Sequence, residues 1–188
     1  MAFLTQEQLE KAGFKHLGRE VKISDRASFY NTSNITIGDY SRIDDFCILS
    51  AGSGGISIGA HVHVACYSSL IGKGKIILED FSNISSRVAI YSSTDDFSGE
   101  FMTNPTVPEE FTNVFSGDVT IRKHVIIGAG SVILPNVVLG EGVAIGSLSL
   151  VTKSCEDFFI YGGVPAKKLK ARSRRLLTLE QAFKPNPS

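Results

Sequence analysis

The chain has 188 residues, and its 19 Lys plus Arg are balanced by 19 Asp plus Glu, for a formal net charge of zero. That balance argues against bulk electrostatic binding to nucleic acid or to an anionic membrane. The length allows one domain with a real core, or one domain with a short appendage.

The first segment, Met1-Ala2-Phe3-Leu4-Thr5-Gln6-Glu7, has no basic region followed by a long apolar run, so no signal peptide is expected. No stretch has eighteen uncharged apolar residues, so no membrane span is expected either. Cys47, Cys66 and Cys155 are an odd set without close pairing. They read as reduced packing thiols of a cytoplasmic protein, with no metal-binding spacing.

Residues 4–14 read as a short helix, capped by Thr5, with Gln8 completing a capping-box pattern and Leu4, Leu9 and Phe14 giving apolar surface. A six-residue repeat starts weakly near Val21 and Ile23 and sharpens at Ile37, Ile43 and Leu49. It continues as Ile58, Val64 and Leu70, then as Leu78, Ile84 and Ile90. From Ile121 it runs unbroken through Ile127, Ile133, Leu139 and Ile145 to Val151. A helix buries residues three and four apart and a strand every second one. A strict six fits neither; it predicts a coil with three short flat sides, each placing one aliphatic residue inward.

The excess residues near Gly52-Ser53-Gly54-Gly55 and Gly72-Lys73-Gly74 read as small corner loops. Residues 92–118 are a longer insertion, polar but carrying Phe97, Phe101, Phe111 and Phe115. An insertion of that size in a regular solenoid usually serves function, and its phenylalanines suggest that it lies against a neighbouring subunit or a ligand. Gly162-Gly163-Val164-Pro165-Ala166-Lys167 reads as a sharp exit turn, residues 174–183 as a short helix, and Pro185 and Pro187 as a disordered end. The expected architecture is therefore all-β: a parallel β-helix over residues 21–160 with one inserted loop at 92–118. Residues 1–20 form a helical lead-in, and 161–188 a C-terminal turn and helix.

The run from Val119-Thr120-Ile121 to Val151-Thr152-Lys153, closed by Gly163-Val164-Pro165-Ala166-Lys167, resembles the hexapeptide-repeat acyltransferases. That resemblance covers roughly residues 20–172. It implies a left-handed parallel β-helix, a homotrimer with active sites in the clefts between neighbouring coils, and an acyl-CoA donor. Longer segments narrow it: Ser41-Arg42-Ile43-Asp44-Asp45-Phe46-Cys47-Ile48-Leu49-Ser50, Asn83-Ile84-Ser85-Ser86-Arg87, Asp95-Asp96-Phe97-Ser98-Gly99 and Lys123-His124-Val125-Ile126-Ile127-Gly128-Ala129. These resemble the branch that N-acylates nucleotide-linked amino sugars, with dTDP the expected nucleotide, in surface-polysaccharide or O-antigen (lipopolysaccharide) biosynthesis.

Sugar O-acetyltransferases of the superfamily place a histidine at the mouth of the insertion, because a hydroxyl needs a base before it can attack. This chain has only His16, His61, His63 and His124, and Ser93-Thr94-Asp95-Asp96 fills the expected place. An amine asks for less. With a pKa of about 8 an appreciable fraction is neutral at pH 7, and it sheds a proton only as the tetrahedral intermediate forms or collapses. The resemblance points Asp95 at the amine, with Asp96 second; both could instead cap a turn. Ser85 is a candidate donor to the thioester oxygen, or a hydroxyl that satisfies a neighbouring coil. Arg87 could meet a sugar diphosphate, or pair with Glu79 or Asp80; Ser98 is a further substrate-binding candidate. By resemblance CoA, as acetyl-CoA or a hydroxyacyl-CoA, is held by Ala129, Ser147, Thr152 and Lys153. The basic exit residues Lys167, Lys168, Lys170 and Arg172 suit its phosphates.

The reading is thus direct acyl transfer from CoA to a sugar amine, without metal and without a covalent acyl-enzyme. Two rivals stay open: an O-acetyltransferase using Asp95 or His124, and a non-catalytic trimeric β-helix scaffold.

Overall fold

The computed structural model describes residues 2–183, so Pro185 and Pro187 lie outside the described residues. Helix α1, Gln6–Lys11, has the expected capping box: the Thr5 hydroxyl accepts from the Gln8 amide and the Gln8 side chain from the Thr5 amide. It is shorter than residues 4–14, because Gly13 turns the chain at φ +69°. Its Leu9 packs onto the core.

The six-residue repeat becomes a left-handed parallel β-helix of about seven turns. Face I carries the strands His16–Leu17, Ile35–Ile37, Ile56–Ile58, Ile76–Leu78, Val119–Ile121 and Val138–Leu139. Face II carries Lys22–Ile23, Arg42–Ile43, His63–Val64, Asn83–Ile84, Ile126–Ile127 and Ala144–Ile145, followed by Phe159–Gly162 and Lys167–Ala171. Face III carries Ser28–Tyr30, Ile48–Ala51, Ser69–Gly72, Ala89–Tyr91, Val132–Ile133 and Leu150–Val151.

Register explains the period. On face II, Ile43 stacks on Val64, Val64 on Ile84, Ile84 on Ile127 and Ile127 on Ile145. All five are at most 3% exposed. One aliphatic column per face fills the prism, and every inward position is held on two sides by its own kind. Buried serines at the corners tie coil to coil: Ser41 donates to Gly59 O, Ser68 to Ser85 O and Ser131 to Gly146 O.

The insertion leaves this ladder undisturbed. Tyr91 ends one strand and Val119 begins the next, and Leu78 still pairs with Ile121 across the gap. The loop starts as a two-residue antiparallel ribbon, Ser93–Thr94 with Phe115–Ser116. Past Val151, where the sequence pattern stops, the stack gains one more strand. Tyr161 stacks on Ile145, and its hydroxyl accepts from the Glu156 amide at 3.0 Å. The exit turn then doubles back as the antiparallel strand Lys167–Ala171 and covers the open edge of face II. Helix α2, Arg175–Ala182, follows. Among the described residues no helix is long and apolar enough to cross a membrane.

Candidate active site

The functional candidates sit at corners, so the corners decide what can meet. Ser85 lies where face II turns into face III, one residue past the buried Ile84. The register places Gly128 and then Gly146 above it, and beside them the column Cys66, Ser86, Ala129 and Ser147. Gly130 N donates to Ser86 O, and Leu148 N to Ala129 O. The column is a ledge of small side chains on which Ala129 and Ser147 are exposed. The coils leave no room for more: a Cβ on Gly128 would lie 2.5 Å from Ser147 N. The exit turn closes the top of the ledge, with Gly163 N donating to Ser149 Oγ and Leu150 N to Gly163 O.

Asp95 lies beyond the other end of face III, just past Thr94 in the root of the insertion, and is exposed. Between Ser85 and Asp95 runs a full side of the triangle, roughly 15 Å of extended chain. Asp96 faces a different duty. Its carboxylate accepts from both the Ser98 amide (2.9 Å) and the Ser98 hydroxyl (2.6 Å), and that serine holds its pKa below the usual range. Asp96 and Ser98 therefore build a turn with each other. Turn capping is the alternative the sequence offers Asp96 beside a role as second base. Phe97 is 89% exposed, and Phe101, Phe111 and Phe115 are also exposed.

The fold spreads the CoA candidates over three corners. Ala129, Ser147 and the exit turn up to Lys167 share the Ser85 corner. Thr152 and Lys153 follow Val151 at the corner from which the insertion springs. The basic strand crosses face II, with Lys167 opposite Gly162, Lys168 opposite Tyr161 and Lys170 opposite Ile160. Lys168 pairs with Glu156 at 2.8 Å and lies over the Phe159 ring. Arg172 reaches the far corner, where its Nη1 donates to the carbonyls of His124 (2.9 Å), Gly142 (3.0 Å) and Val143 (3.3 Å). It fastens the C-terminal strand to the coil.

The same far corner, between faces I and II, holds His124. Its Nε2 is 2.7 Å from Glu180 Oε2 on α2, and its ring stacks on Phe81. Lys123 pairs with the other Glu180 oxygen. His124 is thus a latch for α2, far along the coil from the insertion. Hydrogen bonds from Lys123 first and His124 second hold the Glu180 carboxyl below its usual range. A lowered carboxylate pKa stabilises the docked helix in full above its unfolded value of about 4.3 and loses that contribution as the pH falls through the folded value. Hydrogen exchange in α2 is therefore expected to speed up below about pH 4 before the coils open, and Glu180→Gln should show the faster exchange already at pH 7. Protection of α2 that is equal in both proteins at pH 7 would refute the latch.

Arg87 turns the Ser85 corner at φ +61°, with its guanidinium over the Tyr67 ring. It does not pair with Glu79 or Asp80. Those carboxylates cap backbone amides at the opposite corner, Glu79 on Lys123 N and Asp80 on Ala60 N. The thiols of Cys47 and Cys155 are buried, which pushes each up to about 11 and makes both poor nucleophiles. Among the described residues no three His, Cys, Asp or Glu side chains converge to hold a metal ion.

Sequence reasoning missed the rings that line these corners. Tyr40, His61, Phe81 and His124 form one stacked column, and Phe46 and Tyr67 another. Their signal is a spacing of one coil, 20 or 21 residues between neighbours within the first three coils, which an inward-looking search for aliphatic residues passes over.

The family described as bacterial transferase hexapeptide (six repeats) matches residues 118–153. The chain is 57% identical over 186 residues to dTDP-4-amino-4,6-dideoxy-D-glucose acyltransferase of Escherichia coli, covering 99% of this chain and 97% of that one. It superposes with TM-score 0.92 and 50% identity on AntD, an N-acyltransferase from Bacillus cereus, in complex with dTDP and 3-hydroxybutyryl-CoA; 96% of this chain and 95% of that one are covered. A serine-to-cysteine variant of AntD bound to dTDP-4-amino-4,6-dideoxyglucose and coenzyme A gives the same TM-score, with 96% of each chain covered. By fold, repeat and whole-chain identity, this chain belongs to the hexapeptide-repeat acyltransferases, in the CoA-dependent branch that N-acylates nucleotide-linked amino sugars.

Proposed function

We propose that this enzyme moves an acyl group from CoA to the amine of a dTDP-linked 4-amino-4,6-dideoxy sugar, in the cytoplasm, on the way to a surface polysaccharide such as O-antigen. The observation that carries the reading is the whole-chain likeness to proteins named for, or bound to, that sugar nucleotide and CoA. The local chemistry agrees. The one histidine near the later coils, His124, is engaged by Glu180, and Asp95 stands exposed at the insertion's root.

The amine nitrogen attacks the thioester carbonyl, the new C–N bond forms, the C–S bond breaks and CoA leaves as its thiolate. Asp95 orients the amine and accepts its proton, which returns to solvent or to the leaving thiolate. Ser85 donates to the developing oxyanion. Holding donor and acceptor together supplies much of the rate. In AntD the crystallised variants are altered at a serine or at an aspartate ten positions later, and Ser85 and Asp95 are also ten apart.

The reading includes a homotrimer associated through face III. Its outward positions mix apolar and small polar side chains: Tyr30, Ile48, Ile71, Ala89, Tyr91, Val132 and Leu150 stand among Ser28, Ser50 and Ser69. Ser85, Ala129 and Ser147 lie along one edge of it; Asp95, Thr152 and Lys153 lie along the other. A heterologous threefold contact joins one subunit's first edge to its neighbour's second and so completes both acceptor and donor sites. The exposed phenylalanines of the insertion then have a surface to cover.

The deciding experiment offers matched amino and hydroxy dTDP-sugars with a panel of acyl-CoAs and identifies products by mass spectrometry. Transfer only to the hydroxyl compound would end the amine reading. Light scattering should give a trimer mass. In the same assay Ser85→Ala is expected to cost about 1–2 kcal/mol in barrier, roughly 5–30-fold in kcat, as one donor among several. An unchanged kcat would remove Ser85 from the oxyanion site.

A further inference from the structure

The balanced total charge conceals an uneven distribution. Residues 1–160 carry 12 Lys plus Arg against 18 Asp plus Glu, whereas residues 161–183 carry six against one, Glu180. The surplus falls at one end of the prism, because Lys167–Ala171 is the last strand of the face II stack. Lys167, Lys170, Arg174 and Arg175 are exposed there, and none has a carboxylate partner among the described residues. Arg174 lies over the Phe158 ring, 4.3 Å from its centroid. The acids of the last turn beneath are already engaged: Glu156 pairs with Lys168, and Asp157 Oδ1 accepts from the Glu141 amide at 2.9 Å.

Apolar surface lies among these charges. The register sets Lys168 opposite Tyr161 and Lys170 opposite Ile160, which leaves Leu169 as the extra residue of a bulge. A bulge re-aims a side chain. Leu169 is 64% exposed, and Val164 in the exit turn 71%. Lysines alone would blunt the open edge of a sheet against unwanted pairing. An exposed leucine set between two of them does the reverse. Cations around an exposed aliphatic side chain fit an anionic bilayer, where the cations meet headgroup phosphates and the aliphatic group enters the boundary beneath them. A nucleic acid would use the cations and leave Leu169 in water.

Symmetry adds to this, resting on the trimer proposed above. Face II takes no part in that contact. Prisms set side by side through face III bring their three C-terminal ends into one plane. Three identical basic patches in a plane match a flat surface, and binding by one raises the effective concentration of the others. We infer that the C-terminal end of the trimer is a docking surface for an anionic bilayer, with Lys170, Arg174 and Arg175 on the headgroups and Leu169 in the interface. The coil axis then stands upright on the membrane, and the edges that carry Ser85 and Asp95 run down the side.

The test is co-sedimentation of the full-length protein with two kinds of vesicle: pure phosphatidylcholine, and phosphatidylcholine mixed in equal parts with phosphatidylglycerol. Binding is expected to the mixed vesicles alone and is expected to be lost in high salt. A basic side chain near an anionic surface is worth roughly fivefold in partition, so Lys170→Gln combined with Arg175→Gln should weaken binding by about 25-fold or more. Neither side chain has an ion-pair partner among the described residues, so folding is not at stake. Leu169→Ser should weaken binding several-fold while its salt dependence stays the same. Undiminished binding in the double variant or in Leu169→Ser overturns the inference, as does equal binding to neutral vesicles. Release by saturating CoA also overturns it, since the cations would then serve the donor's phosphates. So does retention on single-stranded DNA or polyglutamate without vesicle binding. Light scattering and acyl transfer on the same preparation separate the two levels. A trimer that transfers acyl groups and ignores mixed vesicles removes the docking surface and leaves the reaction standing, whereas absence of transfer removes the reaction itself.

Discussion

Asp95→Asn is expected to lower kcat by about two to four orders of magnitude, the usual worth of a positioned general base, while CoA affinity stays close to wild type. The asymmetry follows from where the residue sits. Asp95 springs from the insertion, and among the described residues no hydrogen bond engages its carboxylate, so the substitution removes little that holds the fold. Asparagine keeps the shape and can still accept one hydrogen bond, but it cannot take up a proton. The loss should therefore appear in turnover and not in donor binding. Asp96→Asn is the internal control. Its carboxylate is engaged by Ser98, so its replacement loosens a turn and should cost far less than Asp95→Asn. Steady-state kinetics with CoA titrations on both variants decide the matter. Near wild-type turnover in Asp95→Asn, or a larger loss in Asp96→Asn, would remove Asp95 from the mechanism.

The largest effect on stability is expected at the middle of the inward column. Ile127→Ala should cost about 2–5 kcal/mol and lower Tm by roughly 5–15 °C for a domain of this size. Ile127 is fully buried, with Ile84 directly below it and Ile145 directly above. Backbone hydrogen bonds run from coil to coil on all three faces, so the coils cannot draw together to fill a lost side chain. The cost therefore includes both the transfer term and the cavity. Val138→Ala, on an outward position of face I, should stay within about 0.5 kcal/mol. Thermal unfolding at fixed protein concentration tests the pair. A loss below about 1 kcal/mol for Ile127→Ala would mean that the prism can collapse locally, contrary to the stacking described here.

Much of the fold was legible because a solenoid is nearly one-dimensional: each coil contacts its neighbours, so sequence period and spatial repeat are the same quantity. Ile121 to Val151 could be assigned to the three faces in turn before any coordinates. Helix α1 was legible from its cap but not in its length, since Gly13 ends it through backbone angle and not through polarity. The candidate site was legible only as an inventory. Asp95 and Asp96 are adjacent and chemically identical; which one is spent on Ser98 depends on a turn of a few residues that no periodicity encodes. Arg172 stands in a run of bases and reads as one of them, yet the antiparallel return carries it across face II to three carbonyl oxygens at the opposite corner.

By itself the sequence determined the coil: one aliphatic residue every six, the place where the insertion leaves, and the absence of a histidine at its mouth. Those depend on local spacing, which a chain carries with it. Only the tertiary structure decided which corner each polar group occupies. Corner placement sums every loop length before it, so a residue or two of excess moves a side chain to another face. It put Ser85 and Asp95 on opposite edges of one face, sent His124 to hold α2, and stacked Phe46 on Tyr67 beneath Arg87.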